Sequence, residues 1–212
     1  MIIELKKNSN LFPDVALADA DGLLAYGGDL STARLINAYK NGIFPWYSDE
    51  SPILWYSPHQ RFVLFPGDIK ITKSMKQVML SGKFEMRRNT SFSEVIHHCA
   101  KVQREGQDGT WITNEMERAY ISLHKEGIAH SFEVWNNARL VGGLYGVEVG
   151  GVFCGESMFS HVSNASKAAL IWLATSFQYK MIDCQVHTPH LESMGAKFIS
   201  REEYEKILRE ST

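Results

Sequence analysis

The sequence predicts an α/β (α+β) fold in which helices pack against a mixed sheet. From Arg61 onwards, segments with strand character alternate with amphipathic helical segments. Between positions 129 and 159, three apolar strands are separated only by Asn136-Asn137 and Gly150-Gly151, pairs that suit the positive φ angles of tight hairpins. The pattern therefore indicates an antiparallel meander, which a helix and a further strand then follow.

The composition is compatible with one large domain or two unequal ones. The chain has 212 residues, 44% of them hydrophobic, which is enough to bury a sizeable core. Prolines and large aromatic residues are concentrated before position 60, so we expect a small N-terminal domain over residues 1–60 and a larger domain over residues 61–212. Trp55 is expected in the core. Trp46 follows a proline in a loop and fits a core or a stacking surface equally well.

The N-terminal domain is predicted to begin as ordered coil and to contain one helix. Residues 12–28 are rich in Asp, Gly and Pro. Ser31 is placed to cap a helix in which Leu35, Ala38 and Tyr39 form an apolar stripe, and Gly42 is placed to end it.

The larger domain is predicted to follow the order β-α-β-α-α-β-β-β-α-β-α-β-α. Capping boxes begin helices at Ser91 and Ser200. The predicted strands cover residues 62–65, 84–88, 129–135, 140–149, 152–159, 181–186 and 196–199, and the predicted helices cover residues 74–80, 91–105, 113–127, 165–179, 188–195 and the segment from 200 onwards.

The charge distribution limits how this chain can contact nucleic acid or a membrane. The formal net charge is -2, so no overall positive field would hold nucleic acid, and any such contact must be local. The densest basic cluster comprises Lys70, Lys73 and Lys76, with Lys83, Arg87 and Arg88 close behind. No apolar run is long enough to span a bilayer, and the three cysteines have no metal-ligand spacing. We expect a cytoplasmic protein that has reduced thiols and no membrane partner.

Polar residues in two apolar strands mark a candidate active centre. Glu156 interrupts an apolar strand, where a carboxylate needs partners, so it is either a buried strut or a substrate contact. Asp183 and Gln185 are two apart on a strand and would therefore share a face, with Cys184 pointing away. A carboxylate beside a carboxamide can orient the amide and leave its oxygen free to accept from a substrate N–H. The alternative is a structural pair at a strand end.

Short motifs over nearly the whole chain resemble one family. They read G-L-L-A-Y-G-G-D-L-S from Gly22, G-I-F-P-W from Gly42, I-L-W-Y-S-P from Ile53, T-W-I-T from Thr110, H-S-F-E-V-W from His130, F-C-G-E-S-M-F-S from Phe153, N-A-S-K from Asn164 and I-D-C-Q from Ile182. They are similar to the signatures of leucyl/phenylalanyl-tRNA–protein transferases and occur in the same order. The resemblance implies transfer of leucine or phenylalanine from its tRNA to proteins with N-terminal arginine or lysine, which tags them for degradation by the N-degron pathway.

The order of elements also resembles the N-acetyltransferase-like (GNAT) fold, which the same family has in its larger domain. Acetyl-CoA enzymes of that fold hold the pyrophosphate with a glycine-rich loop at a helix N-terminus. The corresponding loop here, residues 160–165, contains no glycine and includes Val162. We therefore expect no CoA and no other cofactor, although an acyl-CoA N-acyltransferase is the main rival enzyme. A non-catalytic RNA-binding module is the rival of another class.

The resemblance assigns roles to residues of this chain. Asp183 and Gln185 would be catalytic, with Gln185 accepting a hydrogen bond from the attacking amine and Asp183 orienting it, and Glu156 would contact the substrate. Lys73, Lys76 and Lys83 would contact tRNA phosphates. Gln77 and Leu80 depart from the family pattern, because more basic residues are expected on that helix. The aminoacyl pocket would comprise Leu144, Phe153, Met158, Phe177 and Ile182, and the terminal adenosine would meet Trp46, Trp111, Tyr39 and Tyr120.

No metal site is expected. His97 and His98 diverge on a helix, and no third ligand is evident near His187 and His190. Ser157 lies in G-E-S-M-F rather than in a nucleophile elbow. The sequence therefore predicts a direct, cofactor-free transfer by a monomer whose substrates are aminoacyl-tRNA and an acceptor protein.

Overall fold

A computed structural model describes residues 2–102 and 112–210. The α/β (α+β) class is confirmed, because the described residues form two mixed sheets with helices around them. The strands are β1 (Ile3–Leu5), β2 (Leu23–Gly27), β3 (Phe44–Pro45), β4 (Leu54–Tyr56), β5 (Gln60–Leu64), β6 (Glu85–Arg88), β7 (Ala129–Asn136), β8 (Arg139–Val149), β9 (Val152–Ser160), β10 (Met181–Asp183) and β11 (Lys197–Ser200). The helices are α1 (Thr32–Lys40), α2 (Lys73–Leu80), α3 (Phe92–Lys101), α4 (Asn114–Lys125), α5 (Ala165–Ser176), α6 (Pro189–Ser193) and α7 (Arg201–Arg209).

The larger sheet has the strand order β11-β5-β10-β9-β8-β7-β6. Strands β7 to β9 form the predicted antiparallel meander, β6 pairs antiparallel with β7 at the edge of the sheet, and β10 pairs with β9 in parallel. The parallel pairing follows from α5, which carries the chain back to the starting edge of β9. Strand β5 lies antiparallel to β10, on its other side. Strand β10 ends at Asp183, level with Cys154, whereas β9 continues to Ser160, so the sheet opens beside the middle of β9.

Two hydrophobic cores lie on opposite faces of this sheet. The first contains buried side chains of α1, α3, α4 and α7 together with the N-terminal strands. The second contains buried side chains of α2, α5 and α6. Strand β9 contributes to both cores, with Cys154 in the first and Phe153 in the second, as expected for a strand whose successive side chains point to opposite faces.

The N-terminal segment contains more regular secondary structure than its composition predicts. Residues 23–27, expected to be coil, form β2 in a four-stranded sheet of order β1-β2-β4-β3. Strand β2 includes Gly27, whose backbone carbonyl accepts a hydrogen bond from the Trp55 indole, and Trp55 is fully buried as expected. Pairing with β1 and β4 overrides the weak local preference of this segment. The division into domains at residue 60 stays a prediction, and the first core contains residues from both sides of it.

Four local predictions were wrong in detail. Helix α5 ends at Ser176 rather than at residue 179, and β10 ends at Asp183 rather than at residue 186. The positive φ angles of the first hairpin fall on Asn137 and Ala138, one position later than predicted. Ser91 makes no side-chain cap; instead, the buried Glu133 accepts the backbone N–H groups of Thr90 and Ser91, each at 2.8 Å. A carboxylate from β7 therefore accepts the backbone N–H groups just before α3, where a side-chain cap was predicted.

Candidate active site

A cavity of about 400 Å³ opens where β10 ends beside the middle of β9. Its volume lies in the range of about 300–1,000 Å³ that is common for small-molecule sites. Its wall is mainly apolar, and Glu156, Asp183 and Gln185 supply acidic and amide groups. The remaining lining residues are Phe44, Pro45, Trp46, Leu144, Phe153, Gly155, Ser157, Met158, Leu170, Leu173, Ile182, Cys184, Val186, Thr188, His190 and Leu191.

A β-bulge in β9 places Glu156 at the cavity. Tyr145 of β8 pairs with Ser157 and Gly146 pairs with Gly155, so Glu156 is the extra residue without a partner opposite. Bulges often occur beside active sites because they redirect side chains. The bulge also changes the alternation of β9, since Phe153 and Met158 are five positions apart and yet both line the cavity.

Glu156 is the hydrogen-bonding centre of the site. It is 7% exposed and accepts hydrogen bonds from Tyr39 at 2.7 Å, from Tyr120 at 3.1 Å and from the Gln185 amide nitrogen at 2.7 Å. The two tyrosine hydroxyls also lie within hydrogen-bonding distance of each other. These partners come from α1, α4 and the segment after β10, so Glu156 connects three distant parts of the chain.

Burial raises the pKa of Glu156 to about 7, because the ionised carboxylate is deprived of water. The hydrogen bonds from Tyr39, Gln185 and Tyr120 oppose that rise, and the negative charge of Asp183 adds to it. A carboxyl with this pKa changes its protonation state near neutral pH, which is the property that a proton-transfer group requires.

Asp183 is fully buried and bound to Arg61. Its Oδ2 accepts from the Arg61 guanidinium, and its Oδ1 accepts the backbone N–H of Gln185 at 2.9 Å. Arg61 lies between the rings of Phe44 and Tyr204, with centroid distances of 5.1 and 4.2 Å, and donates to the Gly42 carbonyl at 2.7 Å. Both oxygens of Asp183 are therefore occupied by donors.

The prediction that Asp183 and Gln185 share a strand face is wrong. Strand β10 ends at Asp183, and Gln185 has a φ of 57° at the centre of a γ-turn closed by the Val186 N–H and the Cys184 carbonyl, 2.6 Å apart. A positive φ is uncommon at a residue other than glycine, and such conformations are enriched at active sites as well as in turns. The turn directs the carboxamide to Glu156. Glu156, rather than Asp183, therefore orients the amide.

Four of the five predicted aminoacyl-pocket residues line the cavity: Leu144, Phe153, Met158 and Ile182. Phe177 does not. It lies just after α5 and packs edge-on against Phe132 and Trp172, at centroid distances of 5.0 and 5.2 Å. It is displaced because α5 ends before it and the chain is extended at this point.

The residues predicted to bind adenosine are separated in the structure. Trp46 lines the cavity and is 40% exposed, so its ring is available for stacking. Trp111 lies outside the described residues. Tyr39 and Tyr120 are buried behind Glu156 and do not line the cavity. Their hydroxyls contact the Glu156 carboxylate and each other. Their predicted contact with adenosine is therefore replaced by support of Glu156.

Several lining residues were not predicted as site residues. Leu170 and Leu173 come from α5, which was predicted only as a helix, and Leu191 and His190 come from α6. The apolar stripe of α5 was a usable signal, but it cannot distinguish a core contact from a cavity wall. Arg61 carried no sequence signal as the partner of Asp183.

The residues predicted to contact tRNA phosphates, Lys73, Lys76 and Lys83, do not line the cavity. Lys73, Lys76 and Lys83 are exposed, and Met75 is the buried residue of α2. The backbone of Lys70 donates to the Met194 carbonyl at 2.9 Å, which places the start of this segment against the end of α6. Helix α6 contributes Leu191 to the cavity, so the segment before α2 packs against an element of the cavity wall.

Within residues 2–102 and 112–210, no cluster of three or more histidine, cysteine, aspartate or glutamate side chains could hold a metal ion. In the same ranges, no helix has the length and apolar character needed to cross a membrane.

Comparison with known proteins assigns the family. The family model for leucyl/phenylalanyl-tRNA protein transferase matches residues 63–209, and the model for the N-terminal domain of these transferases matches residues 28–59. The chain belongs to the leucyl/phenylalanyl-tRNA–protein transferase family. As a member of that family it is an enzyme that transfers leucine or phenylalanine from aminoacyl-tRNA to protein, which confirms the resemblance in the sequence.

Individual transferases agree with the chain over most of its length. The leucyl/phenylalanyl-tRNA–protein transferase of Syntrophus aciditrophicus is 54% identical over 204 residues, which cover 95% of this chain and 85% of that protein. The transferase of Flavobacterium johnsoniae is 54% identical over 201 residues, which cover 93% of this chain and 95% of that protein. Among solved structures, a functionally unknown conserved protein of Staphylococcus epidermidis aligns with 84% of this chain and 68% of that one, with a TM-score of 0.45 and 8% identity.

Proposed function

We propose that this transferase moves leucine or phenylalanine to the α-amino group of proteins whose N-terminal residue is arginine or lysine. The observation that supports this proposal is the position of Glu156 and Gln185, two polar side chains facing an apolar cavity. An apolar wall accepts the leucine or phenylalanine side chain, and the polar groups meet the reacting amine and ester. Modification of such N-termini would tag the acceptor proteins for degradation.

Positioning carries most of the catalysis in this proposal. An aminoacyl ester is an activated acyl donor, and an α-amine with a pKa of about 7.7–8.0 is partly neutral at cellular pH. Holding the two in attack geometry can lower the barrier by about 7–11 kcal/mol. No strong base is then required.

Three groups have separate roles at the reacting atoms. Gln185 donates its amide N–H to Glu156, which leaves its carbonyl oxygen free to accept from the attacking amine. Asp183 keeps the Gln185 backbone in its turn through the 2.9 Å hydrogen bond. Glu156 adds negative charge where the amine becomes cationic. We retain all three as catalytic-site residues, with Asp183 acting through Gln185.

Substrate selection follows from the remaining lining. Leu144, Phe153, Met158 and Ile182 contact the transferred side chain, and Met158 can adapt to a branched or a flat group. Trp46 and Trp111 stack on the terminal adenine. The exposed Lys73, Lys76 and Lys83 contact tRNA phosphates beside the cavity.

The larger domain is proposed to have the GNAT-like arrangement, since a meander is followed by a helix and a parallel strand. The enzyme is proposed to act in the cytoplasm as a monomer without a cofactor. The loop before α5 supports the absence of CoA, because residues 160–165 contain no glycine for a pyrophosphate to approach.

A transfer assay with defined substrates tests the proposal. Purified enzyme is given labelled Leu-tRNA or Phe-tRNA and peptides that begin with Arg, Lys or Ala. We expect label on the Arg and Lys peptides and none on the Ala peptide. Equal labelling of all three peptides would contradict the acceptor specificity.

A variant pair tests the site in the same assay. Gln185→Ala removes the oxygen that faces the amine and should lower the transfer rate about 100-fold or more, while tRNA binding stays unchanged. Gln178→Ala is the matched control, because Gln178 is exposed and does not line the cavity. A wild-type rate for Gln185→Ala would contradict its role.

A further inference from the structure

We propose that Glu156, supported by Tyr39 and Tyr120, takes the proton that the acceptor amine loses and returns it to the ribose oxygen that leaves. Glu156 is then the proton carrier of the reaction, and the two tyrosines are positioning residues that act through it. The proposal rests on the aminoacyl transfer proposed above and assigns the proton route within it.

The contacts between Glu156 and the two tyrosines support this role. Three oxygen–oxygen contacts join Tyr39, Tyr120 and the two carboxylate oxygens into a closed ring. Burial raises the pKa of both tyrosines well above its ordinary value, so each keeps its one proton. With Glu156 ionised, two protons serve three contacts, and the contact between the hydroxyls has none.

Protonation of Glu156 completes the ring. The carboxyl can then donate from Oε2 to Tyr120, Tyr120 to Tyr39, and Tyr39 back to Oε1, so that every contact holds one proton. The Gln185 amide still donates to Oε1 at 2.7 Å. The two tyrosines thus provide partners for the neutral as well as the charged carboxyl, as a group that must hold and release a proton requires.

The other polar groups of the cavity are less suited to carry a proton. A carboxamide such as Gln185 is a very weak base. Asp183 is fully buried and its Oδ2 is bound by the guanidinium of Arg61, a permanent cation that does not bind Glu156. Glu156 lines the cavity, so it can contact the attacking amine itself.

The groups around Glu156 support a proton affinity suited to neutral pH. Tyr39 faces it from α1, Tyr120 from α4, Asp183 from β10 and Cys154 from its own strand, with Tyr145 behind Tyr120 and Arg61 behind Asp183. Burial is the largest influence and raises the pKa to about 7.

The step balances without a further reactant. The amine nitrogen bonds to the ester carbonyl carbon, and the bond from that carbon to the ribose oxygen breaks. The nitrogen loses one proton to ionised Glu156, and the ribose oxygen receives one proton from neutral Glu156. The carboxylate is regenerated, and the products are an amide and a ribose hydroxyl.

The pH dependence of single-turnover transfer tests the proposal. Below pH 6.5, the wild-type enzyme needs both an ionised Glu156 and a neutral amine, so the logarithm of kcat/KM for the acceptor should rise with a slope of about two per pH unit. In Glu156→Gln, only the amine titrates, at about 7.7–8.0, and the slope should be about one. We also expect this variant to be slower by about 100-fold.

Tyrosine variants test the support of Glu156 while the carboxyl is kept. Tyr39→Phe removes a donor to the carboxylate, and Tyr120→Phe removes another, so each should move the Glu156 inflection to higher pH. Tyr179→Phe is the matched control, because Tyr179 donates to Glu148 at 2.7 Å and does not line the cavity. The control should leave the inflection unchanged, and a purely structural role of Tyr39 would do the same.

The outcomes separate this inference from the function on which it rests. No transfer by the wild-type enzyme from either charged tRNA would overturn the function. Transfer with a slope of one in both wild-type and Glu156→Gln would leave the function intact and overturn the role of Glu156. A slope of two in wild-type with no shift in Tyr39→Phe and Tyr120→Phe would overturn the part assigned to the tyrosines.

Discussion

Glu156 is a carboxyl group in an apolar strand, and its burial has a cost that depends on pH. Its partners lie 117 and 36 residues away in the chain, at Tyr39 and Tyr120. From the sequence, the need for partners was evident because a buried charge must be compensated. Their identity was not, since three elements must pack together before the hydroxyls meet the carboxylate.

Replacing Glu156 should change how stability depends on pH. The folded state holds the carboxyl proton up to about pH 7, against an ordinary value of 4.5, so the folded state binds more protons than the unfolded state between these values. Wild-type stability should therefore fall relative to Glu156→Gln as pH rises through this window, by about 3 kcal/mol in total. Urea unfolding of both proteins at pH 4.5, 6 and 8 measures the difference. A difference that does not vary with pH would contradict the raised pKa.

Two short irregularities in strands arrange the site at the scale of elements. The bulge in β9 brings Phe153 and Met158 to one cavity, although strict alternation would place them on opposite faces. The γ-turn after β10 brings Gln185 to Glu156 rather than to Asp183. Neither irregularity has a local signal in the sequence, because each depends on the register of the neighbouring strand.

The bulge also requires a glycine opposite it. A Cβ at Gly146 would lie 2.2 Å from the Cys154 carbonyl oxygen and 2.7 Å from the Phe153 ring. Gly146→Ala should therefore lower the free energy of unfolding by about 1–3 kcal/mol. It should also raise the KM for Leu-tRNA, because Phe153 must shift in the cavity wall.

Denaturant unfolding and transfer kinetics measure the two effects of Gly146→Ala. Gly67→Ala is the control, since a Cβ at Gly67 meets no atom within 4 Å. Equal stability of the two variants would show that the strands can separate at the bulge without loss.

At the scale of the whole molecule, Arg61 joins the site to both ends of the chain. Its guanidinium binds Asp183, contacts Phe44 of the N-terminal sheet and lies over Tyr204 of α7. Because Phe44 also lines the cavity, the N-terminal sheet takes part in the site. Residues 44–46 thus form part of the cavity wall.

The charge distribution of the whole molecule gives a prediction for tRNA binding. The net charge is -2, so attraction must come from a local cluster such as Lys73 and Lys76 on the exposed face of α2. Lys73→Glu with Lys76→Glu should raise the KM for aminoacyl-tRNA and reduce the slope of log affinity against log salt by about two. Salt titrations of binding measure the slope.

The control for this double variant is Lys125→Glu. Lys125 is exposed at the end of α4, which packs on the opposite face of the sheet from α2. Its substitution should alter neither KM nor the salt slope. If the α2 variant behaves in the same way as this control, the tRNA binds elsewhere.

The class of fold, the meander and the family could all be predicted from the residues alone. Alternating apolar residues define strands locally, and short motifs are preserved whole, so both can be recognised without coordinates. The sequence also indicated Asp183, Gln185, Glu156 and four of the residues that line the cavity.

The pairing of those residues is visible only in the folded chain. Asp183 binds Arg61, Glu156 binds Tyr39 and Tyr120, and Gln185 turns to Glu156. Each pairing joins side chains from different elements. Such contacts depend on strand register, on a bulge and on the packing of helices, and these arise from the chain as a whole rather than from any local run of residues.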